Sequence, residues 1–429
     1  MQRAARRTPL AALLAAVLLT GVSGWGWTRY QWQAARAALA ADRFQEARER
    51  LTQPLWLWRW SPDVHVLAAR AERLSGNLPA AEAHLKQALR LAGGATEGVQ
   101  LEFLLLRVQT GEIDQVAPLL IEAADNGHPE APLILSTLSV GYMHNLRYMR
   151  AYACLSRWLE LEPNSAKAYQ YRGWILERMN RRKEAMEDYQ KALEIDPELF
   201  AVRLAVAEML FEDRRPHEAL PHLERLYRQA PDHALVLARL GMCRYLQGDA
   251  AEARRFMEAA LPQLPNDPPL HITLSRLDLQ EGRAAEAERR LRAVVRNDPS
   301  DTEAYYTLFT AVQAQNRPEE AAAILKECEH AKVLLDRTNK LLREVVDSQS
   351  ARTDDYAELG ELLLRINQPQ RGLYWLYEAL ERDPAHQQAH RVLAAYYEQK
   401  GDSAKAASHR RWLRPPEAAS DRSTATAPP

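Results

Sequence analysis

Proline recurs at one fixed interval through the middle of the chain. Five prolines are each separated by 34 residues, namely Pro163, Pro197, Pro231, Pro265 and Pro299. A second series with the same interval stands twelve residues before each proline position, and it comprises Ala185, Ala219, Ala253, Ala287 and Ala321. Because two residue types keep one register, the sequence predicts a repeat array in which each unit packs mainly against its neighbours.

One period, residues 166–197, predicts two amphipathic helices joined by a turn at residues 180–182. The packing face of the first helix carries Tyr169, Gly173 and Leu176, and that of the second carries Ala185, Tyr189 and Ala192. Small residues at Gly173 and Ala185 let the two helices cross closely, since a larger side chain would push the axes apart. Pro197 then ends the second helix because proline lacks a backbone donor.

A 34-residue helix-turn-helix unit with aromatic, small and proline residues in these positions resembles the tetratricopeptide repeat, here in a membrane-anchored form with many repeats. The small-residue position continues backward at Ala151, Ala117, Ala81 and Ala47. The resemblance implies an all-α, right-handed α-solenoid of about ten to eleven repeats. The first unit departs from the pattern, because Pro54 and the run LWLWRW stand where its second helix ends, which suggests an atypical cap.

The register breaks after the unit that begins at Thr302, because the next match begins at Thr353, one and a half periods later. Two interpretations remain open: residues 319–351 form one long helix, or two helices turn near residues 336–339. The predicted organisation is an N-terminal segment at 1–27, repeats at 28–335, an inserted helix at 336–352, C-terminal repeats at 353–414 and a disordered tail at 415–429.

Residues 8–27 form an uncharged stretch that follows three arginines, Arg3, Arg6 and Arg7. About twenty such residues suffice to cross a bilayer as a transmembrane helix. Aromatic residues that suit a membrane interface stand at its end, namely Trp25, Trp27, Tyr30 and Trp32. We expect a single-pass membrane protein with a cytoplasmic N-terminus and its repeats on the periplasmic or extracytoplasmic side. The alternative is a cleaved signal peptide and a secreted protein.

The remaining sequence features argue against a catalytic or metal site and against nucleic-acid binding. Net charge is -1, from 56 basic and 57 acidic residues, so no basic field attracts a nucleic acid. The motif HEALPH at His217 to His222 lacks the spacing of a zinc site, and the three cysteines form no pair of metal ligands or disulfide partners. We expect no catalytic residue, no metal and no cofactor, and therefore a protein that is not an enzyme.

In the tetratricopeptide family, the first helix of each repeat lines a concave groove. The resemblance therefore implies a protein-binding site at Gln170, Trp174, Arg178, Phe211, Met242, Tyr245, Leu246, Arg276 and Tyr306. This mostly apolar and aromatic surface suits a protein or peptide ligand with hydrophobic side chains. Burial between neighbouring first helices is the alternative interpretation. The expected function is a membrane-tethered scaffold that recruits or assembles partner proteins at the cell envelope, or else a self-associating structural protein.

Overall fold

The computed structural model describes residues 25–347 and 351–413, and within these ranges all regular structure is helical. The prediction of an all-α fold is confirmed for this part of the chain. The stretch at 8–24 and the predicted disordered tail at 415–429 lie outside the described residues. The chain divides into two compact units, with the boundary between Tyr142 and Met143.

Unit 1 consists of consecutive helices that pack as neighbouring pairs. They are α1 (residues 25–40), α2 (Phe44–Leu57), α3 (Pro62–Leu74), α4 (Leu78–Ala92), α5 (Glu97–Gln109), α6 (Ile113–Asp125) and the greater part of α7 (Ala131–His144). A buried ion pair lies inside this unit: Arg73 Nε donates to Glu102 Oε2 at 2.9 Å, and both side chains are almost completely buried. Arg70 contacts the second oxygen of Glu102, so both carboxylate oxygens are hydrogen-bonded.

Unit 2 continues the same pattern over a longer stretch. Its first helices are α8 (Tyr148–Leu161), α9 (Ala166–Arg178), α10 (Arg182–Ile195), α11 (Phe200–Glu212), α12 (Pro216–Gln229), α13 (Ala234–Leu246), α14 (Ala250–Ala260), α15 (Pro268–Gln280), α16 (Ala284–Asn297) and α17 (Thr302–Gln313). The last ones are α18 (Pro318–Asp347), α19 (Thr353–Arg365), α20 (Pro369–Arg382), α21 (Gln387–Gln399) and α22 (Ser403–Arg411).

Small residues lie at the points where the paired helices cross. A Cβ on Gly173 would lie 2.7 Å from the Tyr189 ring and 3.3 Å from the Ala185 carbonyl oxygen, so α9 and α10 touch at this crossing. Gly241 meets Met257 and the Ala253 carbonyl in the same way. The repeated alanine is at most 3% exposed at all nine positions, Ala47, Ala81, Ala117, Ala151, Ala185, Ala219, Ala253, Ala287 and Ala321. The close crossing explains why the repeat needs a small residue there.

Helix α18 is the longest described element. It runs without a break for 30 residues, which corresponds to about 45 Å. One of the two interpretations placed a turn at residues 336–339, but these residues lie inside the helix. There Thr338 donates its hydroxyl to the Leu334 carbonyl at 2.8 Å. The predicted boundary between residues 335 and 336 falls within this helix. Helix α18 is the second helix of the repeat that begins at Thr302, and it extends past the usual end of such a helix.

We found no helix among the described residues that is long and apolar enough to span a bilayer. The greater part of the predicted span, residues 8–24, precedes these residues. Its last residues, 25–27, belong to α1.

Candidate protein-binding surface

The first helices of three consecutive repeats, α11, α13 and α15, form a cleft with the start of α17. Its volume is about 510 Å³. The apolar part of the lining comprises Phe211, Pro216, Met242, Tyr245, Leu246, Pro269 and Ile272. Leu246 is 56% exposed although it is a large aliphatic residue, so it marks the mouth of the cleft. Apolar side chains that remain accessible in a concave site are typical of a binding surface.

Charged side chains surround the apolar lining, and most of them are paired. Arg239 is 8% exposed and contacts both Glu208, at 2.8 Å, and Asp267, at 3.1 Å. Burial of Arg239 acts to lower the pKa of its guanidinium, but the two carboxylates outweigh burial and the pKa is raised. Arg276 contacts Glu303 at 2.8 Å and joins α15 to α17. The rim is therefore close to electrically balanced.

Asp301 lies at the start of α17, where its carboxylate accepts a hydrogen bond from the Ala304 backbone N–H at 2.8 Å. Burial raises the pKa of the Asp301 carboxyl, with smaller contributions from Asp298 and Glu303. This capping bond fixes the start of α17 at the edge of the cleft. Glu212 also lines the cleft and accepts from Arg182 of the preceding repeat at 2.5 Å.

The structure brings five of the nine predicted binding residues into this one cleft: Phe211, Met242, Tyr245, Leu246 and Arg276. The other four lie elsewhere. Tyr306 is 60% exposed beside Phe309, at 6.1 Å between ring centroids, and is not part of the lining. Gln170 is half-buried on α9, one repeat before the cleft.

Trp174 and Arg178 lie where the C-terminal repeats return to the start of unit 2. Trp174 packs its ring edgewise against Tyr148, with centroids 5.6 Å apart. The Arg178 guanidinium covers Trp174 at 4.9 Å and donates to Gln370 Oε1 at 2.7 Å. These two positions are therefore partly occupied by contacts within the chain.

Helix α20 makes several further contacts with the first helices of unit 2. Tyr374 stacks on Tyr148 at 4.8 Å between ring centroids. Glu381 accepts hydrogen bonds from two arginines of the α8 region, with Arg150 at 2.7 Å and Arg147 at 3.0 Å. The predicted groove is therefore not one open surface from Gln170 to Tyr306, because α20 packs against its beginning at Arg178 and at Tyr148, the neighbour of Trp174.

Several residues at these sites were not predicted from the sequence. The contacts of Arg239 could have been found from the sequence, since its partners Glu208 and Asp267 stand 31 and 28 residues away, close to one repeat length. Arg214 lines the cleft with a left-handed backbone, at a φ of 59°. The contact between Gln370 and Arg178 could not be found in this way, because the distance between them in the sequence is not related to the repeat length.

Four of the histidines form two close pairs. His65 and His84 approach at 3.2 Å between their Nδ1 atoms, and His390 and His409 approach at 3.0 Å. In the part of the chain that the structure describes, no three potential ligands among His, Cys, Asp and Glu come together. His217 of the HEALPH motif is exposed to solvent.

Family models described as Tetratricopeptide repeat match three segments of unit 2. One matches residues 210–277 and 278–331, and another matches residues 166–199. These segments contain α9, α10, the end of α11, α12 to α17 and the first part of α18. They include every residue that lines the cleft except Glu208.

Two curated proteins are similar over part of the chain. The type IV pilus assembly protein PilF of Pseudomonas aeruginosa is 27% identical over 158 residues, which is 36% of this chain and 62% of PilF. The DnaJ protein P58IPK homolog A of Oryza sativa subsp. japonica is 30% identical over 117 residues, 27% of this chain. The chain thus spans 62% of the first relative and 23% of the second.

A solved structure of PilF from Pseudomonas aeruginosa is 22% identical, with a TM-score of 0.38, and covers 46% of this chain and 90% of the PilF chain. The family matches coincide with the proline and alanine series and with the helix pairs that carry them. The matched repeats of unit 2 are therefore tetratricopeptide repeats.

Proposed function

We propose that this chain is a membrane-tethered binding scaffold, which holds a partner protein by apolar side chains in the cleft between α11, α13 and α15. The observation that carries this proposal is the accessible group of Phe211, Met242, Tyr245 and Leu246, which lines a cleft of about 510 Å³. Such a volume accepts a few side chains of an extended or helical segment. We propose no catalytic step and no cofactor for the chain.

Charge on the cleft rim further restricts the ligand. Arg239 and Arg276 are each paired with carboxylates, so a strongly charged segment gains little at this site. The ligand that fits best is a segment with large aliphatic or aromatic side chains and little net charge. Its affinity should therefore depend only weakly on salt.

Similarity to part of a pilus assembly protein, over 62% of that relative's length, supports an assembly role. We place the scaffold at a membrane through residues 8–27, with the N-terminus in the cytoplasm and the repeats on the periplasmic or extracytoplasmic side. Support comes from the uncharged stretch and the three arginines before it. Protease treatment of intact and permeabilised cells tests this topology, and the mass of the mature chain tests whether residues 8–27 are cleaved.

A matched pair of variants tests the cleft. Leu246→Glu places a charge at the mouth of the cleft, and Leu161→Glu makes the same change at the end of α8, outside it. The two leucines are 56% and 49% exposed. After crosslinking in native membranes, we expect Leu246→Glu to lose the partner that the wild type and Leu161→Glu retain. Equal capture by both variants, at unchanged helicity, would exclude this cleft.

Self-association is the second candidate function, and the observation that favours it lies on α18. This helix exposes Val333 by 67% and Leu325 by 39%. If α18 binds another copy, the full chain in detergent should sediment as an oligomer whose mass falls on Val333→Glu substitution. A monomer at high protein concentration would remove this candidate.

A further inference from the structure

Unit 1 exposes a group of large aromatic side chains at one end of its first helix pair. We call it the tryptophan surface, and it consists of Trp25, Trp27 and Tyr30 of α1 with Trp56 of α2 and the nearby Trp60. Their exposed fractions range from 52% for Trp27 to 74% for Trp56. Exposed aromatic groups of this size mark a site of interaction.

Two contacts show how α1 and α2 bring these residues together. Arg50 donates to Gln31 at 3.2 Å, and further along the pair the rings of Trp25 and Trp58 lie 6.3 Å apart. Residue numbers therefore rise along α2 while they fall along α1, so the helices are antiparallel. The start of α1 consequently meets the end of α2, and the two aromatic runs join into one surface.

The opposite side of the same pair forms the local core. Ala35 and Leu51 are almost completely buried there, and Trp32 packs against the cluster they belong to. Trp32 therefore does not belong with the interfacial residues predicted from the sequence. The run LWLWRW at 55–60, which suggests that the first unit is an atypical cap, supplies Trp56 and Trp60 to the exposed surface.

Charge on this surface has one sign. The Arg29 guanidinium lies 5.6 Å from the Trp25 ring, and that of Arg59 lies 4.8 Å from the Trp60 ring. No acidic residue occurs in residues 25–41 or 50–62. Indole rings favour the boundary between water and hydrocarbon, and arginine pairs with lipid phosphate, so the combination matches a lipid headgroup layer.

The sequence before this surface indicates that its binding partner is a lipid bilayer. The uncharged stretch at 8–27 ends within the tryptophan surface, at Trp25 and Trp27. If this stretch anchors the chain, α1 begins at the headgroup layer, and the antiparallel pairing places Trp56 and Trp60 at the same level. We propose that the tryptophan surface lies in the headgroup layer of the anchoring membrane, an inference that rests on the proposed anchor.

The test uses the full chain reconstituted in vesicles of phosphatidylcholine and phosphatidylglycerol, with or without bromine near the glycerol end of the acyl chains. Trp56→Phe with Trp60→Phe removes two emitters and keeps aromatic side chains. Emission lost from the wild type by this change therefore belongs to Trp56 and Trp60. We expect brominated lipid to quench that emission.

The control is Trp412→Phe, because Trp412 lies in unit 2 and is 49% exposed. Its emission should be the same in both kinds of vesicle. If the wild type floats with vesicles but the emission of Trp56 and Trp60 is not quenched, the anchor stands and the tryptophan surface proposal is overturned. If the wild type does not float, the anchor fails, and this proposal fails with it.

Discussion

The rings of Tyr148 and Tyr374 stack with their centroids 4.8 Å apart and 24° between their planes, although Tyr148 begins α8 and Tyr374 lies on α20. Each side chain is 1% exposed. Burial raises the pKa of the Tyr374 hydroxyl well above its usual range, and burial also raises the pKa of Tyr148. The stack joins α20 to the start of α8, where Tyr148 also contacts Trp174 of the predicted groove.

Removal of either ring should loosen that contact. We expect Tyr374→Ala to lower the free energy of unfolding by about 3–5 kcal/mol, as for other large aromatic residues in a core. A double-mutant cycle with Tyr148→Ala, measured by denaturant unfolding, should give a coupling of about 0.5–1.5 kcal/mol. Additive effects of the two substitutions would show that the rings do not stabilise each other.

Close helix crossings make Gly360 sensitive to any side chain. Its Cβ would lie 2.8 Å from the Gly372 carbonyl oxygen and 2.6 Å from Leu376 Cγ, and backbone cannot move aside easily. We expect Gly360→Ala to destabilise the chain by about 1–3 kcal/mol in urea unfolding. Gly98 of α5 is the control, since the nearest atom to its Cβ would be 3.7 Å away. Gly98→Ala should be neutral or stabilising by up to about 1 kcal/mol.

The ion pair inside unit 1 should be costly to break from one side. Glu102→Ala leaves Arg73, which is 1% exposed, without its carboxylate partner, while Arg70 keeps only its pair with Glu130. We expect a loss of about 3–5 kcal/mol, because a buried charge remains uncompensated. Glu82→Ala breaks the exposed pair with Lys86 and should cost at most about 0.5 kcal/mol. Similar losses for both variants in thermal unfolding would contradict the difference in burial.

Stability should fall as the pH falls through the range in which histidine titrates. Burial and the neighbouring His390 lower the pKa of His409, and burial and His65 lower that of His84. A lowered pKa means that the unfolded chain binds protons more readily, so stability is lost as the pH drops below about 6.5. Unfolding free energies at several pH values should show this slope. His409→Asn should reduce it, and an unchanged slope in this variant would exclude His409 as a cause.

The repeat itself was predictable because its physical causes are local and recur every 34 residues. Gly173 and Ala185 had to be small for two adjacent helices to cross, and Pro197 had to follow a helix end. The cleft was predictable in part for the same reason, since Phe211, Met242 and Tyr245 occupy similar positions in successive first helices. The Arg239 contacts with Glu208 and Asp267 in its lining, by contrast, are defined only by the packed repeats.

Contacts outside the repeat register could not be predicted. The stacking of Tyr374 on Tyr148 needs a particular path of α18 and α19, and no periodic signal encodes that path. The tryptophan surface likewise depends on the antiparallel pairing of α1 and α2, which joins two runs separated in the sequence.

The sequence by itself determined the all-helical repeat, its period and its small-residue crossings, because these follow from backbone geometry and neighbouring side chains. Only the tertiary structure decided that α20 contacts Arg178, that five predicted residues share one cleft, and that the end of α2 with Trp58 lies beside Trp25. Each of these facts depends on side chains far apart in the sequence, whose meeting is set by the packing of many intervening helices.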